Sequence, residues 1–244
     1  MTLDVFFAPA GLATQEVAGR PVFVVDVLRA TTVICAALSR GARAVVPVAT
    51  VEEASRLAQT LGPDAAVLVG ERHGEPIEGF DLGNSPIEVT EQRVRGKTLV
   101  MTTTNGTGAL LATQGASEVY VIAAVNLTVA AARAREILLE RKDLVILCAG
   151  RESQFGLDDA YAAGRLALLA LDGRRRRKGL NDGALVALDL ARRYRSWDRP
   201  LLRSMAGRHL VHLGRGADVA DAGREDAYPV LPLLRDRRIT LEER

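Results

Sequence analysis

Short apolar runs rich in Val, Ile and Leu recur along the first 150 residues, each followed by a stretch with helical character. PVFVVD (21–26) leads into TTVICAALSR and Gly41, which predicts a strand and a helix with a C-terminal glycine. RAVVPVA (43–49) predicts a second strand, and Thr50-Val-Glu-Glu53 has capping-box spacing for a helix that closes at Gly62. AAVLVGE (65–71) precedes the polar loop HGEPIEGFDLGN, after which Ser85-Pro86-Ile87-Glu88 predicts another helix start, with proline at the first position. KTLVMTTTN (97–105), EVYVIAAVN (118–126) and DLVILCAG (143–150) read as further strands, separated by helices over 107–114 and 127–141.

Strands of this kind alternating with helices predict a parallel sheet covered on both faces. The expected fold class is α/β, a three-layer α/β/α arrangement with a largely parallel central sheet and a more helical C-terminal part. We expect one domain over 1–244, with 1–157 the alternating core and 158–244 the helical and edge-strand part. Helices are expected over 158–171 and 182–195, joined by the basic link GRRRRKG, with a third over 200–213. The tail AYPVLPLLRDRRITLEER predicts one or two strands at a sheet edge, because Pro229 and Pro232 argue against a central one.

Ligands bind outside the carboxyl ends of strands in open parallel sheets. Here those ends carry Asp26, Glu71, Thr104–Asn105, Asn126 and Arg151–Glu152, whereas the strand beginnings carry Pro21, Arg43 and Lys97. Carboxylates gather at or beside these junctions: Asp26, Glu71, Asp81, Glu152, Asp158 and Asp159. Hard cations such as Mg²⁺ take oxygen ligands of this kind, often one or two carboxylates with water and phosphate oxygens. Donors gather there too, in Arg29, Thr31, Thr32, Asn84, Ser85, Thr103, Asn105 and Thr107, near helix starts that offer free N–H groups to an anion. Together they point to metal-assisted phosphoryl chemistry. Taken singly, Asp26, Asn126 and Ser85 each have a plain reading as helix caps.

Composition narrows the partners. The chain has 244 residues, 48% hydrophobic and 25% charged, with a net charge of +2, so no global field draws it to nucleic acid or membrane. Cys35 and Cys148 lie in apolar runs and read as buried, reduced thiols. The N-terminal stretch lacks a basic start and carries Asp4, and no apolar run reaches membrane-spanning length, so a cytoplasmic protein is expected. No GxxxxGK[ST] occurs, NGTGALL (105–111) has only part of a dinucleotide fingerprint, and Asp26-Val-Leu-Arg lacks the second aspartate of an aspartyl-phosphate motif. His73 sits in the polar loop, and His209 and His212 share a helix face with no local metal-ligating partner. The run Arg174–Lys178 reads as a solvated loop, with an RNA backbone contact as the sharper alternative.

VVDVLRATTVICAALSRGA, VGERHGEPIEGFDLGNSPIEV, TTTNGTGALL, AVNLTVAA and LCAGRESQFGLDDAYAAG together resemble the 2-phosphosulfolactate phosphatase (ComB) family, in the family's order, over most of 21–165. The later match is looser, in SMAGRHL and YPVLP. The resemblance implies a Mg²⁺-dependent phosphatase acting on the phosphate ester of a 2-hydroxy acid, in archaea on the path to coenzyme M. In GLDDA, Asp158 stands where the family favours glutamate, which shortens one carboxylate arm. The expected metal ligands are Asp26, Glu71 and Asp158 or Asp159. Arg29, with Thr31 and Thr32, would hold the phosphoryl oxygens, and Asn84, Ser85, Thr104 and Asn105 would orient a small-molecule ester. Glu152 would activate a water, with direct attack by Asp26 the alternative. A non-catalytic module binding a phosphorylated metabolite, or a phosphatase for another phosphorylated 2-hydroxy acid, are the other readings. A homo-oligomer is compatible with all of them.

Overall fold

The first strand is one that the alternation left unmarked: Leu3–Phe6 (β1), with Asp4 held by Arg20 at 2.6 Å. The protein is described from a computed structural model over residues 2–10, 12–172 and 178–241, so Arg174–Arg177 of the basic run lie outside the described residues. After β1 come Thr14–Val17 (α1), Pro21–Val25 (β2), Ala30–Ser39 (α2), Ala44–Pro47 (β3), Val51–Leu61 (α3), Ala66–Arg72 (β4) and Glu75–Pro76 (β5). Glu91–Val94 (α4), Thr98–Thr102 (β6), Gly106–Leu111 (α5) and Glu118–Ile122 (β7) follow, then a 3₁₀ turn at Ala124–Asn126, Leu127–Leu139 (α6) and Leu144–Cys148 (β8). The remainder is Leu157–Ala170 (α7), Asp182–Arg193 (α8), Asp198–Arg203 (α9), Met205–His212 (α10), Gly216–Ala222 (α11), Pro232–Arg235 (β9) and Arg238–Leu241 (β10).

Local chemistry accounts for several of these boundaries. Thr50 Oγ1 accepts from Glu53 N–H at 3.1 Å while Glu53 Oε2 accepts from Ala49 N–H at 3.0 Å, which opens α3. Asn181 Oδ1 accepts from Ala184 N–H at the start of α8 and from Val5 N–H, tying the helix to β1. α2 is buried at every position but Ser39, as expected of a helix apolar all round. β2, β6 and β8 are buried at every position, the mark of strands covered on both faces.

Among the described residues, ten strands form one sheet in the order β1-β8-β2-β7-β9-β10-β3-β6-β4-β5. β1, β8, β2 and β7 make one parallel block, and β3, β6 and β4 another. Helices cover both faces in a three-layer α/β/α arrangement. α6 and α7 pack on Phe23, Val25 and Ile146, and α3 packs on Val46, Leu68 and Val100. α2 and α5 share one core cluster with Val22 and Val24 of β2 and with Leu99 and Met101 of β6, so the sheet curls around them. Both thiols are buried and free, and burial pushes each above its ordinary range. Among the described residues, no helix is long and apolar enough to cross a membrane.

The tail corrects one expectation. β9 and β10 form a hairpin in the middle of the sheet, not at its edge, with Leu234 opposite Val119 and Ile239 opposite Val45. The prolines permit this because Pro232 stands at the first position of β9, beyond the pairing with β7, which begins at Leu233, and at the last pair with β10, opposite Leu241, while Pro229 precedes the strand. β9 opposes β7, β10 opposes β9, and β3 opposes β10, so the two blocks run in opposite senses along the hydrogen-bonded sheet. Their carboxyl ends nevertheless meet: a Cβ placed on Gly106, after β6, would lie 2.5 Å from Asp26 Oδ2, after β2. Twist of about 20–25° per strand step, or roughly 100–125° over the intervening five, supplies much of the rotation required.

Two helix expectations also change. No helix starts at Ser85, where Pro86–Glu88 form a turn; the carbonyls of Pro86 and Val89 accept from Arg40 Nη1 at 2.6 and 2.5 Å. The segment 200–213 is broken at Ser204, which is extended and caps α10 by accepting from Gly207 N–H at 2.8 Å.

Close backbone approach makes the α7–α8 contact testable. A Cβ on Gly164 of α7 would meet Ala187 O of α8 at 1.9 Å, a distance only helix separation relieves. Gly164→Ala is expected to cost about 1–3 kcal/mol and to lower the melting temperature by roughly 2–12 °C. Thermal unfolding followed by circular dichroism checks this, and an unchanged transition refutes it.

Candidate active site

The turn after β2 is locked by its own side chains. Thr31 Oγ1 accepts from Asp26 N–H at 3.0 Å and donates to Asp26 O at 2.7 Å, and Thr32 Oγ1 donates to Val27 O at 2.8 Å. Both threonines are fully buried. Their hydroxyls therefore serve the turn and not a bound anion, which corrects the role expected for Thr31 and Thr32. What the turn presents instead is the Asp26 carboxylate, whose Oδ1 accepts from Ala30 N–H at 3.2 Å.

Three residues on, Arg29 is 4% exposed. Its Nη1 donates to Asp218 Oδ2 of α11 at 2.6 Å and its Nη2 to Gly74 O at 2.9 Å. Ser85 Oγ donates to the other Asp218 oxygen at 2.6 Å. Ser85 thus neither caps a helix nor reaches the cleft, a second correction.

Glu71, at the end of β4, organises the opposite wall. Oε1 accepts from Thr104 N–H at 2.7 Å, and Oε2 accepts from Gly74 N–H at 2.7 Å and Thr104 Oγ1 at 3.1 Å. Thr104 Oγ1 in turn accepts from His73 N–H at 3.1 Å. Asn105 Oδ1 accepts from Glu152 N–H at 3.0 Å, which pins the turn 150–154 over the cleft. Asn84 is 4% exposed, and its Oδ1 is buried with no hydrogen-bond partner.

The carboxylates at the base do not share one condition. Asp159 has both oxygens occupied, by Val27 N–H at 2.9 Å and Gly150 N–H at 3.0 Å. Burial, then Asp158 and Asp26, still push its pKa well up. Burial raises Asp26 to about 7, opposed by the Ala30 N–H bond and reinforced by Asp158 and Glu71. Asp158, in the first turn of α7, is raised to about 6 by burial, against backbone hydrogen bonds and Arg151. These groups face each other across a site with too little positive charge for them all.

An open cleft joins them. Asp26, Arg29, Glu71, Asn84, Thr104, Asn105, Glu152, Asp158 and Asp159 all line it. Thr31, Thr32 and Ser85 do not. Asp81 lies elsewhere, accepting from Leu68 N–H at 2.7 Å. Thr103 and Thr107 bond each other at the start of α5. Asn126 occupies the N-cap position of α6 but spends its side-chain amide on Ala123 N–H, Val121 O and Val230 O, so it makes no side-chain capping bond to that helix. His73 does line the cleft. Sequence reasoning undervalued Arg151 and His209, which also line it, and passed over Asp218 behind it. His209 Nε2 lies 2.8 Å from His73 O, so it must carry the proton there. No strand end announces a residue delivered by α10 or α11; the only hint was the SMAGRHL match.

Residues 6–237 match the model of the family described as 2-phosphosulpholactate phosphatase. A probable 2-phosphosulfolactate phosphatase of Symbiobacterium thermophilum is 41% identical over 231 residues, covering 94% of this chain and 97% of its own. One from Carboxydothermus hydrogenoformans is 36% identical over 244 residues, covering 99% and 98%. Another, from Deinococcus radiodurans, is 41% identical over 214 residues, covering 86% of each.

The raised carboxylates set a pH dependence of stability. Between the ordinary carboxylate range and about pH 7, the folded state holds protons on Asp26 and Asp158 that the unfolded chain has released. Their contribution therefore makes folding less favourable as pH rises through that window. In EDTA, Asp26→Asn is expected to flatten this slope and to raise the melting temperature at pH 8 by several degrees. Equal slopes in the two proteins, by differential scanning fluorimetry from pH 4.5 to 8, would exclude the raised Asp26.

Proposed function

The chain belongs to the 2-phosphosulpholactate phosphatase family, and from that premise we propose that it is a phosphoric monoester hydrolase converting 2-phosphosulfolactate to sulfolactate and phosphate with Mg²⁺. One observation carries the reading: buried carboxylates outnumber buried arginines in a cleft that also offers anion donors. A phosphomonoester carries up to two negative charges near neutral pH. It would be repelled there unless a cation entered with it.

The donor set fits Mg²⁺. Asp26, with one N–H on Oδ1, and Asp158, in the first turn of α7, would hold the ion, while Glu71 and Asp159, with an N–H on each oxygen, keep fewer lone pairs for it. Among the described residues, no three His, Cys, Asp or Glu side chains form a ready metal cluster. Mg²⁺ needs none, since it is commonly held by one or two carboxylates with water and phosphate oxygens completing the octahedron. When bound, it would supply neutralising charge to the phosphoryl oxygens and acidify a water.

The remaining work falls to the chain. Arg29 has five N–H donors, two of them taken, and its others serve the phosphoryl group as charge shifts toward the leaving oxygen. The Asn105 amide, held through its oxygen, keeps its N–H₂ for the ester, and Asn84 adds a polar group already desolvated. Arg151 at the rim meets a second acidic group of the substrate. Glu152, exposed on its turn, accepts the proton of the attacking water.

Phosphate release from 2-phosphosulfolactate is expected with Mg²⁺, to stop in EDTA and to return when Mg²⁺ is restored. Asp26→Asn should lower kcat by at least about 100-fold, equivalent to roughly 2.7 kcal/mol. Ligand-dependent thermal stabilisation without any phosphate release would instead leave a binding module. With a substrate made chiral at phosphorus by oxygen isotopes, inversion fits direct attack by water, and retention would make Asp26 a nucleophile that is phosphorylated and then hydrolysed.

A further inference from the structure

We propose that Asp218 is a positioning residue for this site: from α11 it aims the Arg29 guanidinium at the phosphoryl group, and Ser85 holds Asp218 in register. The inference rests on the reading of Arg29 as a phosphate donor. Arg29, Ser85 and Asp218 are 4, 3 and 3% exposed, so the contacts form in a low-dielectric setting where charge-assisted hydrogen bonds are strong. Each Asp218 oxygen has one partner, Arg29 Nη1 at 2.6 Å and Ser85 Oγ at 2.6 Å, which fixes the plane of the carboxylate. A second tie, Arg215 Nη1 to Glu88 Oε1 at 2.7 Å, docks the start of α11 on the same loop that carries Ser85.

The need for such a hold follows from what surrounds Arg29. Asp26, Glu71 and Asp158 line the same cleft, and an untethered guanidinium would fold onto them. It would then neutralise the oxygens that a cation needs and withdraw its donors from the substrate. Asp218 does not line the cleft, so it anchors Nη1 from behind. Gly74 O anchors Nη2 from the side. The guanidinium is left with two fixed corners and a free edge.

The test uses inorganic phosphate as the probe, titrated calorimetrically into the Mg²⁺-loaded full chain. Asp218→Asn is expected to weaken phosphate binding about tenfold or more, and Ser85→Ala about two- to fivefold. Because the effect runs through Arg29, adding Asp218→Asn to Arg29→Lys should weaken phosphate no further than Arg29→Lys alone. A merely structural role would add its loss in both backgrounds, and that result overturns the proposal, as does wild-type affinity in Asp218→Asn. Should Asp218→Asn fail to fold, Ser85→Ala decides: weakened binding supports the assignment, unchanged binding ends it. Absence of phosphate binding by the wild-type chain would refute this proposal. If Asp218→Asn loses phosphate affinity while the wild-type chain leaves 2-phosphosulfolactate intact, only the substrate reading falls.

Discussion

A buried carboxylate must find hydrogen-bond donors, find a cation, or keep its proton, and the cleft of this protein is arranged by how each of its acids meets that demand. Glu71 and Asp159 are satisfied by backbone N–H groups, and in accepting them they shape the walls. Asp218 is satisfied by Arg29 and Ser85. Asp26 has one backbone N–H on Oδ1, and burial raises the proton affinity of Asp26, Asp158 and Asp159 alike. The acids that accept backbone N–H groups thus shape the cleft that Asp26 and Asp158 also line.

That division depends on tight backbone geometry around the turn after β2. Thr31 and Thr32 close the turn with their hydroxyls, and Val27 N–H reaches across to Asp159 at the start of α7. Gly106 leaves no room for a side chain beside Asp26. Gly150 turns with φ +65° where a Cβ would strike Gln154 O at 2.2 Å, which lets Arg151 and Glu152 fold back over the cleft. The site is therefore carried by several elements at once, and the hairpin β9–β10 is what joins the two blocks of strands that supply them.

Much of this is legible in the residues themselves. PVFVVD and KTLVMTTTN are apolar enough to be central strands, so the polar residues that end them had to emerge at the sheet's rim, and Asp26, Thr104 and Asn105 do. Asp158 followed from the same reasoning, being an acid in the first turn of a helix after a buried strand. Thr31 and Ser85 misled because a hydroxyl beside a helix start suits an anion, a cap or a backbone carbonyl equally well, and only its neighbours choose. The tail misled because proline's missing N–H matters only where a partner strand would have used it, and the pairing register of Pro232 is not a local property.

The sequence by itself determined most of the strands and helices, and the residue types available at the strand ends, because these follow from periodicity and local capping chemistry. It also carried the family, through stretches that stay contiguous along the chain. Tertiary structure alone decided which oxygens are spent and which are free, and that Asp218, 189 residues beyond Arg29, is its partner. Hydrogen-bond commitment depends on distances of a few ångströms between segments far apart in the chain, and neither residue type nor spacing encodes those distances.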